Sequence, residues 1–268
     1  MHFFSLVDLA SARPVFGLRY ILILSILSFT TLAQTGLGDW ASAYSKAATA
    51  LAKLSASQKA DIVTGIGWQK GPCVGNTKAV SSIGYPSLCL QDGPLGVRYA
   101  KSATAFPPGV QAAATWDRAL INARGKAMGE ESKALGVHVL LGPVAGPLGK
   151  VPQGGRNWEG FATDPYFTGI AMAETIKGMQ GAGVQACAKH YIANEQEHNR
   201  DFISSSVADR VMHELYLWPF ADAVKANVAS VMSSYNKFNG TYACENGGIL
   251  NTLLKDELAF QGYVVSGE

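Results

Sequence analysis

The chain has 268 residues, 48% of them hydrophobic and 16% charged, and a formal net charge of +2. That is apolar material for one substantial core, and it lacks the basic field that nucleic acid would require. No low-complexity tract, heptad run or short-period repeat interrupts it.

In chain order, Arg13 and Arg19 precede an apolar stretch, 20–33, too short to span a bilayer comfortably and ending in Thr31-Leu32-Ala33. Residues 1–33 read as a cleaved secretory signal, with an uncleaved anchor as the alternative because the basic region is long. Residues 34–268 are then the mature domain, extracellular and without membrane attachment. In an oxidising compartment Cys73 and Cys89 are close enough in sequence to close a small loop, expected to contribute about 3 kcal/mol. Such a disulfide would brace the segment leading into Asp92. Cys187, inside an apolar run, reads as a buried free thiol, and Cys244 has no obvious partner. The sequon Asn239-Gly240-Thr241 makes Asn239 the candidate glycosylation site.

Asp39 is placed to cap an amphipathic helix carrying Trp40, Tyr44, Leu51 and Leu54, and Ser55 with Gln58 forms a capping box for the next. From residue 84 strands and helices alternate: strand 86–90, helix 115–135 closed by Gly136, strand 137–141, and a long loop 142–163. Asp164-Pro165 opens a helix that Gly181 and Gly183 end, and strand 184–188 follows. A polar loop 194–206 leads to helix 209–226, stopped by Asn227, then to strand 228–232. Asn246 caps a last helix before strand 263–265. Apolar runs joined by helices of this length are βαβ units with strands buried on both faces. The expected fold is α/β: an incomplete (β/α)8 TIM-type barrel of about five βα units, with reactive groups on the loops after the strands.

Those loops carry the chemistry. Asp92 stands where a strand meets a turn; its carboxylate can accept from adjacent hydroxyls of a sugar, although Asp-Gly-Pro is also ordinary turn chemistry. Arg98 follows as a possible orienting partner. The run 154–161 gathers Arg156, Asn157, Trp158 and Glu159, which suits either a carbohydrate, held by an aromatic face and bidentate donors, or an internal Arg–Glu pair. Lys189 and His190 close a strand, so their side chains are expected to diverge and to act as donors at the barrel mouth. His190, His198 and His213 lack zincin spacing and a cysteine companion, so no metal is expected. Gly181-Ala182-Gly183 precedes a strand rather than following one, the wrong setting for a dinucleotide loop, and no cofactor is expected.

Taken together, residues 71–77, 90–94, 154–161, 188–191 and 232–236 resemble glycoside hydrolase family 3, above all its secreted fungal β-glucosidases, from about Trp40 to the last residue. The resemblance implies retaining hydrolysis by two carboxylates about 5 Å apart. It implies that Asp92, Arg156, Lys189 and His190 hold the hydroxyls of a non-reducing glucose, and that Met232 and Tyr235 line the same pocket, the tyrosine next to the nucleophile. Tyr191 to Glu195 replaces the glycine-rich loop of the family's N-acetylglucosaminidases, which favours the glucosidase or xylosidase branch. Two departures follow. The implied nucleophilic aspartate falls at Gly267, and Glu268 is one place too far along a strand to substitute for it. Ser233 stands where many relatives carry a cysteine, which leaves the equivalent partner, Cys244, unpaired.

The expectation is therefore the N-terminal portion of a β-glucosidase acting, when complete, on cellobiose and other short β-glucosides, with no nucleophile or acid/base of its own. A non-catalytic sugar-binding fragment, or β-xylosidase specificity in a full-length product, are the alternatives.

Overall fold

The computed structural model describes residues 36–267; the 1–33 signal and Glu268 lie outside them. The lead-in contains the helices α1 (Ala41–Leu51) and α2 (Ala56–Thr64). The capping box of α2 forms as the sequence requires: the Gln58 N–H donates to Ser55 Oγ at 3.2 Å and the Ser55 N–H to Gln58 Oε1 at 3.0 Å. Asp39 caps nothing. It sits inside a short 3-10 turn, Gly38–Trp40, that runs directly into α1.

Six strands make one sheet in the order β1 (Gly75–Asn76), β2 (Cys89–Asp92), β3 (Val139–Leu141), β4 (Gln185–Tyr191), β6 (Ser230–Ser233) and β9 (Tyr263–Val265). β1 is antiparallel to β2, and the other five strands are parallel. These five are the expected βα units, and they form a curled, open part of a barrel. A second sheet of β5 (Ser204–Ser205), β7 (Lys237–Phe238) and β8 (Thr241–Tyr242) had no alternation long enough to be read from sequence.

Residues alternate between two cores, as strands buried on both faces must. Leu140, Ala186, Ala188 and Val231 face the helix layer, packing with Met172, Ile176, Met179 and Phe220. Val139, Leu141, Cys187 and Met232 face the barrel interior with Leu90 and Val265. In the helix layer α4 (Arg118–Ala134) and α5 (Pro165–Gly181) cross closely. A Cβ on Gly125 would stand 2.7 Å from the Thr175 carbonyl oxygen, so glycine is what permits the crossing.

Three expected elements differ. The first strand begins at Cys89 rather than residue 86, because Pro86 has no N–H for a ladder and β1 pairs only with Cys89 and Leu90. The helix expected over 115–135 starts later, as α4 at Arg118, and an unexpected helix, α3 (Gly109–Ala114), precedes it, the two separated at Trp116 by a left-handed backbone with φ +53°. Asp117 then caps α4, accepting from the Ala119 N–H at 2.8 Å. The helix expected over 209–226 breaks into α6 (Asp209–Val211), a π-type turn (Met212–Tyr216) and α7 (Trp218–Lys225). Pro219 cannot donate to the preceding turn, and the Leu217 N–H bonds the Met212 carbonyl, five residues back, at 2.8 Å. Asn227 ends α7 with φ +58°, as expected.

Candidate active site

Five parallel strands deliver their C-terminal ends to one side of the sheet, and a cavity of about 400 Å³ lies there. β2 brings Asp92, β4 brings Lys189 and His190, and β6 brings Met232 with Tyr235 just beyond it. The loop after β3 supplies Arg156 and Glu159, and the loop after β4 supplies Glu197 and Arg200. All six sugar-holding candidates, Asp92, Arg156, Lys189, His190, Met232 and Tyr235, therefore line one cavity.

Asp92 is the hub. Lys189 Nζ donates to its Oδ1 at 2.7 Å, and Arg98 donates to Oδ2. The Lys189 side chain is only 3% exposed and that of Asp92 14%. Burial alone would push the Asp92 carboxyl up, but Lys189 and Arg98 outweigh it and hold the pKa at about 2. Each carboxylate oxygen has two acceptor sites and spends one on a cation, so Asp92 still has one per oxygen for a pair of hydroxyls.

Lys189 and His190 do not diverge. Both line the cavity, and the peptide between them is cis. His190 spends one ring nitrogen inside the protein. Its Nδ1 lies 3.2 Å from the Gly146 carbonyl oxygen, which only accepts, so Nδ1 carries a hydrogen. Burial, reinforced by Lys189 and Arg156, pushes the imidazole well below its ordinary pKa. The ring is neutral and offers Nε2 as an acceptor.

In the loop 154–161 the internal Arg–Glu pair forms. Arg156 forms a two-pronged pair with Glu159, Nε to Oε1 at 2.8 Å and Nη2 to Oε2 at 2.9 Å. This leaves Nη1 outside the fork, on a residue that lines the cavity. Trp158 does not line it; the indole is 43% exposed elsewhere. The aromatic side chains at the cavity are instead Trp68, Tyr99 and Tyr235.

Arg200 escaped notice in the sequence. Its guanidinium lies 4.2 Å from the centroid of the Tyr235 ring and donates to Glu197 Oε1 at 2.6 Å. Its only signal was a lone arginine in a polar loop. Glu195 was likewise passed over: its carboxylate accepts from the Leu148 N–H at 3.0 Å and the Lys150 N–H at 3.2 Å, tying the loop after β4 to the loop after β3.

Beyond β9, an ideal Cβ on Gly267 would lie 3.2 Å from Tyr235 Cε1. The position implied for the nucleophile is therefore beside the tyrosine implied to neighbour it. The Cys73–Cys89 disulfide forms with a Cα–Cα distance of 5.5 Å and braces the start of β2, three residues before Asp92. Cys187 and Cys244 are free, the first buried with its thiol pushed up to about 11, the second exposed. Among the described residues no group of three His, Cys, Asp or Glu side chains could hold a metal ion.

Residues 74–268 match the family described as Glycosyl hydrolase family 3 N terminal domain. A probable beta-glucosidase L of Aspergillus terreus is 69% identical over 240 residues, covering 90% of this chain and 32% of its own. Beta-glucosidase cel3A of Pyricularia oryzae is 61% identical over 256 residues, 96% of this chain and 34% of its own. Among solved structures, beta-D-glucoside glucohydrolase from Trichoderma reesei superposes with a TM-score of 0.85 at 65% identity, over 87% of this chain and 33% of that one. Beta-glucosidase 3B from Thermotoga neapolitana, in complex with glucose, gives 0.80 at 37% identity, over 83% and 34%. The chain thus spans about a third of the length of the relatives it matches.

Proposed function

The chain belongs to glycosyl hydrolase family 3, and we propose that its cavity holds the non-reducing glucosyl unit of a β-glucoside, as the sugar-gripping part of a β-glucosidase. The observation that carries this is the convergence of Asp92, Lys189, Arg98, Arg156 and His190 on one cavity, with acceptors and donors both present. A pyranose presents neighbouring hydroxyls that each donate and accept. Asp92 and His190 Nε2 take their hydrogens, while Lys189 and Arg156 donate to their oxygens. The relative solved with glucose supports the choice of sugar.

In the complete enzyme this grip serves retaining hydrolysis of β-glucosides such as cello-oligosaccharides. A nucleophile is needed at the anomeric carbon, and Gly267 has no side chain to supply it. The chain as it stands is therefore proposed to bind without turning over. Secretion, with a glycan on Asn239, completes the reading: the Cys73–Cys89 disulfide suits an oxidising compartment, and Asn239 is exposed in the turn between β7 and β8. Its side-chain amide donates to the Val207 carbonyl at 3.1 Å, a bond that the one N–H left after glycan linkage can still make.

The test is calorimetric titration with glucose and cellobiose. Wild type should bind, and Lys189→Met should lose about tenfold or more in affinity, the usual scale for a charge-assisted hydrogen bond. Equal affinity in the variant would refute the assignment.

A further inference from the structure

The loop after β3 serves the cavity at two places. At Gly146 its carbonyl takes the His190 Nδ1 hydrogen, and further along it carries Arg156 to the lining. Up to Ala145 the loop is laddered onto β4: the Lys189 N–H donates to the Pro143 carbonyl at 3.0 Å, and the Ala145 N–H donates to the Lys189 carbonyl at 2.6 Å. The segment 146–156 then turns through Gly149, left-handed at φ +86°, and a short 3-10 turn, Pro152–Gly154. Such a segment has few regular backbone bonds of its own, so what holds it decides where Arg156 and the Gly146 carbonyl lie.

A side chain of the loop after β4 holds it. Glu195 Oε1 accepts from the Leu148 N–H at 3.0 Å and Oε2 from the Lys150 N–H at 3.2 Å, one on each side of Gly149. Backbone N–H groups around a left-handed turn make a concavity suited to an anion, and the Glu195 carboxylate is that anion. The Glu197 N–H adds a bond to the Gly154 carbonyl at 3.0 Å, two residues before Arg156. Gly146, Leu148, His190 and Glu195 border one void of about 10 Å³, so little can shift between the carboxylate and the imidazole. Glu195 itself is not among the residues that line the sugar cavity.

We infer that Glu195 is a positioning residue for the cavity: its carboxylate latches the segment 146–156, so that the Gly146 carbonyl fixes the His190 tautomer and Arg156 stays in place. The effect on sugar affinity rests on the glucosyl reading of the cavity; the effect on His190 does not. The latch needs a carboxylate rather than its shape. Glutamine has one acceptor oxygen, and its NH2 would face a backbone N–H, donor against donor, so it keeps one bond of the two. With the segment released, His190 Nδ1–H loses its acceptor and the hydrogen can settle on Nε2, which then no longer accepts from a hydroxyl.

Nitrogen NMR of the His190 ring in the ligand-free full chain, with glucose titration of the same proteins, tests this. Wild type should show Nδ1 protonated and Nε2 bare. Glu195→Gln should bring in the Nε2–H tautomer and lose roughly threefold to tenfold in glucose affinity, the scale of one hydrogen bond. Lys150→Ala, which keeps the backbone N–H and removes only an exposed side chain, should match wild type in both. A His190 ring unchanged by Glu195→Gln overturns the proposal whatever the affinity does, and a changed ring with unchanged affinity overturns the role in sugar binding. If glucose binds to none of the proteins, the sugar reading fails and the ring spectrum alone decides. Amide exchange in wild type needs no variant to fold: Leu148 and Lys150 should exchange as slowly as the amides of β4, and exchange at free-loop rates overturns the latch.

Discussion

Replacing Asp92 by Asn removes the one anion that joins Lys189 and Arg98. The folded carboxyl has a pKa of about 2, set by burial, which raises it, against Lys189 and then Arg98, which lower it further. An unfolded aspartate titrates near 3.9, so the difference is worth about 2.5 kcal/mol of stability at neutral pH. The folded pKa is the lower one. The contribution is therefore complete above about pH 4 and disappears as pH falls towards 2. The variant loses this contribution and also strands the Lys189 ammonium, 3% exposed, without its partner. Breaking a buried pair from one side costs about 3–5 kcal/mol, and the two figures describe overlapping effects rather than independent ones. The expected loss is about 2–4 kcal/mol at pH 7. Urea unfolding followed from pH 7 to pH 2.5 reads both quantities: wild type should weaken steeply below pH 4, and Asp92→Asn should start lower and fall less. Adding Lys189→Met to Asp92→Asn should recover part of the loss, since the stranded charge goes with it. A loss under about 0.5 kcal/mol with an unchanged pH profile would refute the view of Asp92 as a buried hub.

Four further outcomes are expected. Replacing Cys73 and Cys89 together by Ala should cost about 3 kcal/mol by the loop-entropy argument, read as a lower urea midpoint, and an unchanged midpoint would mean that β1 and β2 hold the loop unaided. Arg200→Ala should lower glucose affinity several-fold by releasing the Tyr235 ring, whereas Arg200→Lys should restore part of it; equal affinities for all three proteins would remove the arginine from the site. The chain should not turn over an aryl β-glucoside, because position 267 carries no carboxylate, and a rate near that of an ordinary glycosidase would disprove this. The interior side of the open sheet, where Leu90, Leu141, Met232 and Val265 border a cavity of about 610 Å³, should bind a hydrophobic dye and favour aggregation; a monomer that ignores the dye and unfolds cooperatively would show the open sheet to be self-sufficient.

What was legible in the sequence followed from local chemistry. Strands buried on both faces wrote their apolar runs plainly, and the capping residues Ser55, Asp164 and Asn246 marked helix starts that the structure keeps. The starts that were missed depend on events outside local periodicity. The break at Trp116 needs a left-handed residue that no composition rule assigns to tryptophan, and it makes sense only once Phe167, fifty-one positions later, is seen stacked on it. At the site, Asp92, Lys189 and His190 could be nominated because strand ends present them. The direction of the His190 hydrogen bond could not, since it is set by the Gly146 carbonyl, forty-four positions earlier.

Under the proposed function, the charges around the cavity would separate gripping from cleaving. Three carboxylates line it, Asp92, Glu159 and Glu197, and each is engaged by a cation: Lys189 with Arg98, Arg156, and Arg200. With His190 neutral, four cations face three anions, so the lining is one positive charge in excess. None of the three carboxylates can act as a nucleophile without giving up the partner that positions its neighbours. A reacting carboxylate must come from another position, and the surplus positive charge is what would keep it ionised there. Position 267, beside Tyr235 and at the end of β9, is where such a group would meet the ring already held by Arg200. The residues proposed to hold the sugar are thus neutralised among themselves apart from one charge. That charge is the demand the grip makes on whatever performs the chemistry.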